Sequence, residues 1–290
     1  MIKNLVISGG STKTIAVLGA LKYLEEQHLL HEVKNFVGTS AGSLLCLFMV
    51  LGYKTDEIVH LLREHLFGNH LHLLELDEVM NLEFLQNYGL DSGKNIVQFL
   101  CDVLFLKCHK TDMTFVELAK LTGRNLVVCG ANITKQRSDH FSVDTHPDMS
   151  IITALRISVS LPFIFTPVVF DDCYYLDGGL YEALPLTYIA RFKDPVKDTL
   201  ALNITNKTDP TSNRIASLLD YIRVVFTSVV DKANQSACAP SPKIRVIDIE
   251  FEDLELASFS FEDCGFVLDE TTIKKHLEKG YATIKRCFER

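Results

Sequence analysis

Apolar residues follow two rhythms along the 290-residue chain. Short unbroken apolar runs bounded by glycine or charge predict strands, and longer stretches with apolar residues every three or four positions predict helices. IKNLVIS (2–8) predicts a strand ending in Gly9-Gly10, and TIAVLGALKYLEEQ follows with Ile15, Leu18, Leu21 and Leu24 at helical spacing. VKNFVG (33–38) predicts a second strand. From Ala41 to Leu51 the chain is apolar on all sides, as in a helix buried all round. TDEIVHLLREHLF predicts an amphipathic helix with a Thr/Asp cap. Residues 69–123 read as mostly helical, with turns at 88–94 and near Thr111, and TFVELAKLTG closes the block on a glycine stop.

Further on, NLVVCGANI (125–133), HFSVD (140–144), TLALNIT (199–205) and IRVIDIE (244–250) predict strands. MSIITALRISVS and ETTIKKHLEKGYATIKRCF predict helices, and VVFDDCYYLDGG an extended or hairpin-like stretch. RIASLLDYIRVVFTSVV (214–230) carries an apolar helical stripe, read as a core-packing helix with a lipid-facing interfacial helix as the alternative. Strands alternating with helices give an α/β fold with a largely parallel sheet covered on both faces. The polar link KTDPTSN (207–213) sets the expected division: a main domain over 1–206, and a helical and strand extension, 207–290, packed on the same domain.

Charge narrows the partners. A formal net charge of −8 disfavours nucleic acid, which needs clustered Lys and Arg, and disfavours adsorption to anionic lipid by bulk charge. Contact with a membrane would be local and peripheral. The longest apolar run, LLCLFMVL, is too short for a transmembrane segment, and the N-terminus lacks a secretory apolar region. Eight cysteines without a C-x-x-C pair suggest neither a zinc site nor a redox motif. A cytoplasmic location is expected.

Three glycine-rich stretches carry candidate chemistry. Gly38-Thr39-Ser40-Ala41-Gly42 is a G-x-S-x-G between a predicted strand and a predicted buried helix. Glycines two positions either side leave room for the crossing chain, and the turn sets the serine at a helix N-terminus, where developing negative charge is favoured. Chance alone gives about one such match in twenty chains of this composition, so the context matters more than the pattern. Ser8-Gly9-Gly10-Ser11-Thr12-Lys13 can point backbone N–H groups into an anion nest, suited to a phosphate or to an oxyanion. It has neither the Walker A nor the G-x-G-x-x-G spacing. Tyr175-Leu176-Asp177-Gly178-Gly179 is, by itself, an ordinary turn signal.

A serine nucleophile needs a base. After Asp177 the chain has one histidine, His276, on a lysine-rich helix face that reads as solvated, so a Ser-His-Asp triad is poorly supported. A carboxylate acting directly on the serine is the remaining option, with Asp177 the candidate.

G-T-S-A-G, the upstream G-G-x-x-[KR] and the downstream D-G-G together resemble the patatin-like phospholipases. Gly89-Leu90-Asp91-Ser92-Gly93-Lys94, Thr114-Phe115-Val116-Glu117-Leu118, Asn132 and His140-Phe141-Ser142 agree, and Ala154 to Pro162 fits the family's A-x-R-x-S-x-S-x-P. The resemblance covers roughly residues 1–190. It implies a three-layer α/β/α sandwich with a mostly parallel central sheet, and a Ser-Asp dyad with Ser40 as nucleophile and Asp177 as base. It further implies oxyanion-hole amides from Gly9, Gly10 and Ser11, Lys13 at the family's basic position, Gly38 and Gly42 as the glycines of the nucleophile elbow, and Gly178 and Gly179 as those of the D-G-G motif. The implied reaction is hydrolysis of a phospholipid or other acyl-lipid substrate, without metal or organic cofactor. Ser11 and Thr14 stand where the family has glycine, and Ala183 where it has asparagine. A catalytically weak or inactive module that binds lipid or a protein partner is the competing expectation.

Overall fold

The computed structural model describes residues 1–67, 87–207, 221, 224–225, 228, 244–252, 259–260, 265–266 and 269–289. The expected helix at 214–230 has four positions among these, so that expectation lies outside the described residues, as does 69–86 of the block expected to be helical. The chain runs β1 (Asn4–Ile7), α1 (Ile15–Glu26), β2 (Asn35–Thr39), α2 (Ala41–Val50), α3 (Thr55–Leu62), β3 (Gly89–Asp91), α4 (Lys94–Cys108) and α5 (Phe115–Thr122). It continues through β4 (Asn125–Asn132), β5 (Arg137–Phe141), α6 (Ile151–Ser158), β6 (Phe163–Phe165), β7 (Val168–Phe170), β8 (Cys173–Asp177), β9 (Thr199–Lys207), β10 (Arg245–Glu252) and α7 (Glu270–Phe288).

The main sheet has the order β10-β9-β1-β2-β4-β8-β7, with β5 also on β4. The pairs from β10 through β4 are parallel, and β4 with β5, β4 with β8 and β7 with β8 are antiparallel. The sheet is therefore mixed and mostly parallel. Successive strand residues alternate between its faces. Leu5, Ile7, Phe36, Leu126 and Val128 join the main core with α1 and α2, whereas Val6, Val37, Val127 and Ala201 pack with Tyr188 and Ile189 of the 3₁₀-helix Thr187–Arg191. Helices thus cover both faces, giving the three layers of an α/β/α sandwich. No helix among the described residues is long and apolar enough to cross a membrane.

Register on β4 brings two distant strand ends together. Cys129 of β4 pairs with Thr39 of β2 and with His140 of β5, so β2 and β5 occupy opposite edges. Gly130 pairs with Asp139 of β5 and Asp177 of β8, so β8 lies on the same edge as β2. Parallel β2 and antiparallel β8 therefore run toward each other along one edge, and their last residues, Thr39 and Asp177, sit opposite consecutive residues of β4.

Three local readings change. The strand expected at 140–144 is β5 at Arg137–Phe141, an element so polar that apolar alternation could not reveal its start. β3 and β6 are three-residue strands paired with each other; the first lies at a position read as a turn within a mostly helical block. His276, expected in solvent, is fully buried and meets the Phe251 ring edge-on at 5.0 Å. Its helix α7 buries Ile273, His276, Gly280 and Ile284 along one stripe, so a histidine and a glycine occupy positions that an apolar count passes over.

α7 rests on α1 through two glycines. A Cβ on Gly280 would lie 1.7 Å from the Ala16 carbonyl oxygen, and one on Gly19 would lie 1.9 Å from that of Leu277. Backbone cannot yield as a flexible side chain does, so the two axes approach closely only without these carbons. Gly280→Ala should force the helices apart at a cost of about 1–3 kcal/mol. In a thermal melt this appears as an unfolding midpoint lowered by several degrees; an unchanged midpoint would refute the tight packing.

Candidate active site

Ser40 follows β2 directly and caps α2 with φ 52° and ψ −131°, a region that non-glycine residues seldom enter. The turn is closed by its glycines. A Cβ on Gly38 would lie 2.6 Å from Ser43 Cα, and one on Gly42 would lie 2.4 Å from the Ser8 carbonyl oxygen. The Ser40 amide donates to Ser158 Oγ at 2.8 Å, and that hydroxyl donates to the Cys129 carbonyl at 2.6 Å. These bonds pin the strained residue to α6 and β4, and strain of this kind persists only where its surroundings over-determine it.

Ser40 Oγ donates to Asp177 Oδ2 at 2.6 Å. The other oxygen, Oδ1, accepts the Gly179 amide at 2.7 Å, and the Asp177 amide donates to the Ser160 carbonyl at 2.8 Å. A Cβ on Gly178 would lie 2.4 Å from the Cys129 carbonyl oxygen, so this turn also needs its glycine. Burial pushes the Asp177 carboxyl up to about 7, against the opposing bonds from Ser40 and Gly179. A carboxylate poised near neutrality suits proton transfer.

The nest after β1 faces the same serine: a Cβ on Gly9 would lie 3.3 Å from Ser40 Cβ. Its donor set is narrower than the sequence reading. The Gly9 amide is committed to the Ala183 carbonyl at 2.9 Å, and the Lys13 amide to the Gly10 carbonyl at 3.1 Å. Among the described residues the Gly10 and Ser11 amides have no hydrogen-bond partner, which leaves them as candidate oxyanion donors. Lys13 is buried, and its ammonium lies 5.2 Å from the Phe251 ring centroid. The two glycine replacements differ in consequence. Ser11 takes φ 50°, the left-handed conformation that glycine favours, whereas Thr14, at φ −60° and ψ −15°, is helical and needs no glycine.

Sequence reasoning assigned no role to several supporting side chains. The two serines of the A-x-R-x-S-x-S-x-P segment act differently: the Ser158 hydroxyl seats the Ser40 amide, whereas it is the Ser160 backbone carbonyl that receives the Asp177 amide, its hydroxyl donating to the Arg156 carbonyl. Arg156, buried with them, donates to the Ser92 carbonyl at 2.8 Å and to the Thr166 carbonyl at 3.1 Å. The alternating serines were visible as a motif, but a hydroxyl's partner 118 residues away is not written in spacing.

Glu182 is the other omission. Its carboxylate accepts the Thr187 amide at 2.8 Å and hydroxyl at 2.9 Å and pairs with His140 Nε2 at 3.0 Å. Burial pushes this carboxyl up, but the bonds from His140 and Thr187 outweigh it and hold it below the usual carboxylate range. Its carbonyl accepts the Thr39 hydroxyl at 3.0 Å, one residue before the serine, and Ala183 beyond it holds the Gly9 amide. Cys129, His140 and Glu182 bring atoms of metal-ligating type within 4.8 Å of one another, and here His140 and Glu182 bond each other instead. The Glu182 carboxylate, held by His140 and Thr187, thus anchors the segment whose backbone carbonyls receive Thr39 and Gly9. Glu182→Ala should lower kcat roughly 100-fold with KM little changed, since misplacement by about 1 Å has that effect. Glu182→Gln should restore part of kcat; steady-state kinetics on a soluble ester separate these outcomes.

Beside Ser40 a cavity of about 140 Å³ runs inward. Ser11 and Thr12 line it on one side, and Leu44, Phe48, Phe99 and Leu161 are among its apolar walls. Such a wall fits a hydrocarbon chain.

The sequence matches the family model described as patatin-like phospholipase over residues 5–190. It is 33% identical over 190 residues to the probable lipid hydrolase 463L of Invertebrate iridescent virus 6, an alignment covering 66% of this chain and 64% of that protein. The chain thus spans somewhat less than two thirds of that relative's length. Among solved structures, VipD from Legionella pneumophila is similar with a TM-score of 0.64 at 17% identity, over 99% of this chain and 67% of that one. Human GIVD cytosolic phospholipase A2 is similar with a TM-score of 0.50 at 10% identity, over 98% of this chain and 58% of that one. At such identities both likenesses speak to the fold.

Proposed function

The chain belongs to the patatin-like phospholipase family, and on that premise we propose that it is a lipid acyl hydrolase of phospholipase A type working through a Ser40-Asp177 dyad. The 2.6 Å bond between a strained serine and a buried carboxylate, at the mouth of an apolar cavity, carries this reading. Similarity to a probable lipid hydrolase supports the substrate class.

A substrate acyl chain occupies the cavity, with its ester carbonyl between Ser40 Oγ and the nest. Ser40 Oγ attacks the carbonyl carbon while its proton passes to Asp177 Oδ2. The carbonyl oxygen becomes an oxyanion held by the Gly10 and Ser11 amides, and losing one such donor costs on the order of 3 kcal/mol of barrier. Collapse breaks the ester C–O bond, and the departing alkoxide takes the proton back from Asp177. The products are the free alcohol or lysolipid and acyl-Ser40. A water molecule then gives its proton to Asp177, adds to the acyl carbonyl and, through a second oxyanion, releases the fatty acid as Ser40 regains the proton.

The carboxyl near 7 sets the pH dependence. Asp177 accepts a proton only when ionised, so kcat/KM should rise through a pH of about 7 and level off above it. A profile already flat at pH 5 would contradict Asp177 as the base.

A further inference from the structure

We propose that Tyr88 and Phe163 form a rim that inserts into a phospholipid bilayer and sets the cavity mouth against it. The proposal rests on the lipid-hydrolase reading above and names how that site meets its substrate. β3 and β6 pair in parallel with Gly89 opposite Phe163, which sets Tyr88 at the same end of this small sheet. A Cβ on Gly89 would lie 2.4 Å from the Thr166 amide, so β3 packs closely on the backbone at the end of β6. Both aromatic residues face water, Tyr88 at 65% exposure and Phe163 at 52%. Both also hold left-handed backbone, with φ 61° and φ 67°.

That combination is costly twice over. A bulky residue in the left-handed region loses roughly 1–2 kcal/mol relative to one in an ordinary conformation. With half or more of each residue exposed, only part of this is recovered by burial in the isolated protein. Glycine or asparagine would fit both positions with less strain, so the rings themselves need a partner outside the chain.

The location selects the partner. Leu161 and Phe165, two residues either side of Phe163, both line the cavity that contains Ser40. An acyl chain drawn from a bilayer would therefore leave the membrane beside this rim. Aromatic side chains favour the membrane–water interface, where an apolar ring is covered and a phenol hydroxyl stays wet. With a formal net charge of −8, docking cannot depend on bulk attraction to anionic headgroups. Insertion into zwitterionic phosphatidylcholine is the mode that fits both facts.

The test uses the full chain carrying Ser40→Ala, so that vesicles are not consumed and binding is read apart from catalysis. Partition onto phosphatidylcholine vesicles, by co-sedimentation, should fall at least about tenfold on adding Tyr88→Asn and Phe163→Asn, and should be insensitive to salt. Asparagine tolerates the left-handed region, so the unfolding midpoint should hold or rise. Because the chain has no tryptophan, Phe163→Trp gives a single reporter. Its emission should shift to the blue on these vesicles and be quenched by brominated lipid. Equal partition with and without the asparagine pair, binding only to anionic vesicles, or unshifted tryptophan emission would each overturn the proposal. Loss of the proposed catalysis would show separately, as ester hydrolysis that survives Ser40→Ala.

Discussion

Ser40→Ala should lower turnover of a fluorogenic acyl ester by roughly four to six orders of magnitude. The change removes the attacking oxygen and little else. The Ser40 amide keeps its bond to Ser158, and the closing contacts of Gly38 and Gly42 are untouched, so the unfolding midpoint should move little. The size of the effect matters because positioning groups and active-site amides sustain some rate without a nucleophile. Undiminished activity in pure Ser40→Ala protein would remove the serine from the mechanism. The same comparison addresses the inactive-module alternative, for which wild type and variant would be equally inert on every ester offered.

Asp177→Asn should lower turnover at least roughly 10⁴-fold, since among the described residues no histidine bonds Ser40 Oγ to take the proton in its place. The amide oxygen still accepts from the Gly179 amide and keeps that turn, while the side-chain NH2 in place of Oδ2 can only donate to Ser40 Oγ, so the serine hydroxyl loses its acceptor and the base together. Stability should respond in the opposite sense. Burial raises the folded-state carboxyl of Asp177 from 3.8 to about 7, so the folded chain holds that proton more tightly than the unfolded chain does. The resulting stabilisation is complete below the unfolded value and is lost as pH rises through the folded one. Asparagine carries no such charge to bury. The variant should therefore gain on wild type in thermal melts as the pH goes from 6 to 8. An aspartate that costs stability where it is active is a mark of a functional rather than a structural group.

Much of this was legible in the sequence, unevenly and for physical reasons. The run from β1 through α2 was readable because each element has a clean apolar period and the glycine turns fall between elements. The bond from Ser40 to Asp177 spans 137 residues, and no local pattern encodes it. What made the pair visible was three motifs in order; what explains it is β2 and β8 meeting on one edge of β4. The Gly9 amide shows the opposite case. A glycine pair signals a nest, but which amides stay open depends on a carbonyl far along the chain, that of Ala183. Ala183 replaces the family's asparagine, yet it is the backbone there that anchors the nest. His276 was hidden because a buried stripe of isoleucine, histidine and glycine does not look apolar.

The central claim is that Ser40, activated by Asp177, becomes acylated. The most direct measurement is covalent labelling of the full chain with a long-chain organophosphonate, followed by peptide mass mapping across a pH series. The account predicts a single adduct, on Ser40, forming faster as the pH rises through about 7 and nearly absent in Asp177→Asn. An adduct on another residue, or equally fast labelling of Ser40 in Asp177→Asn, would contradict it.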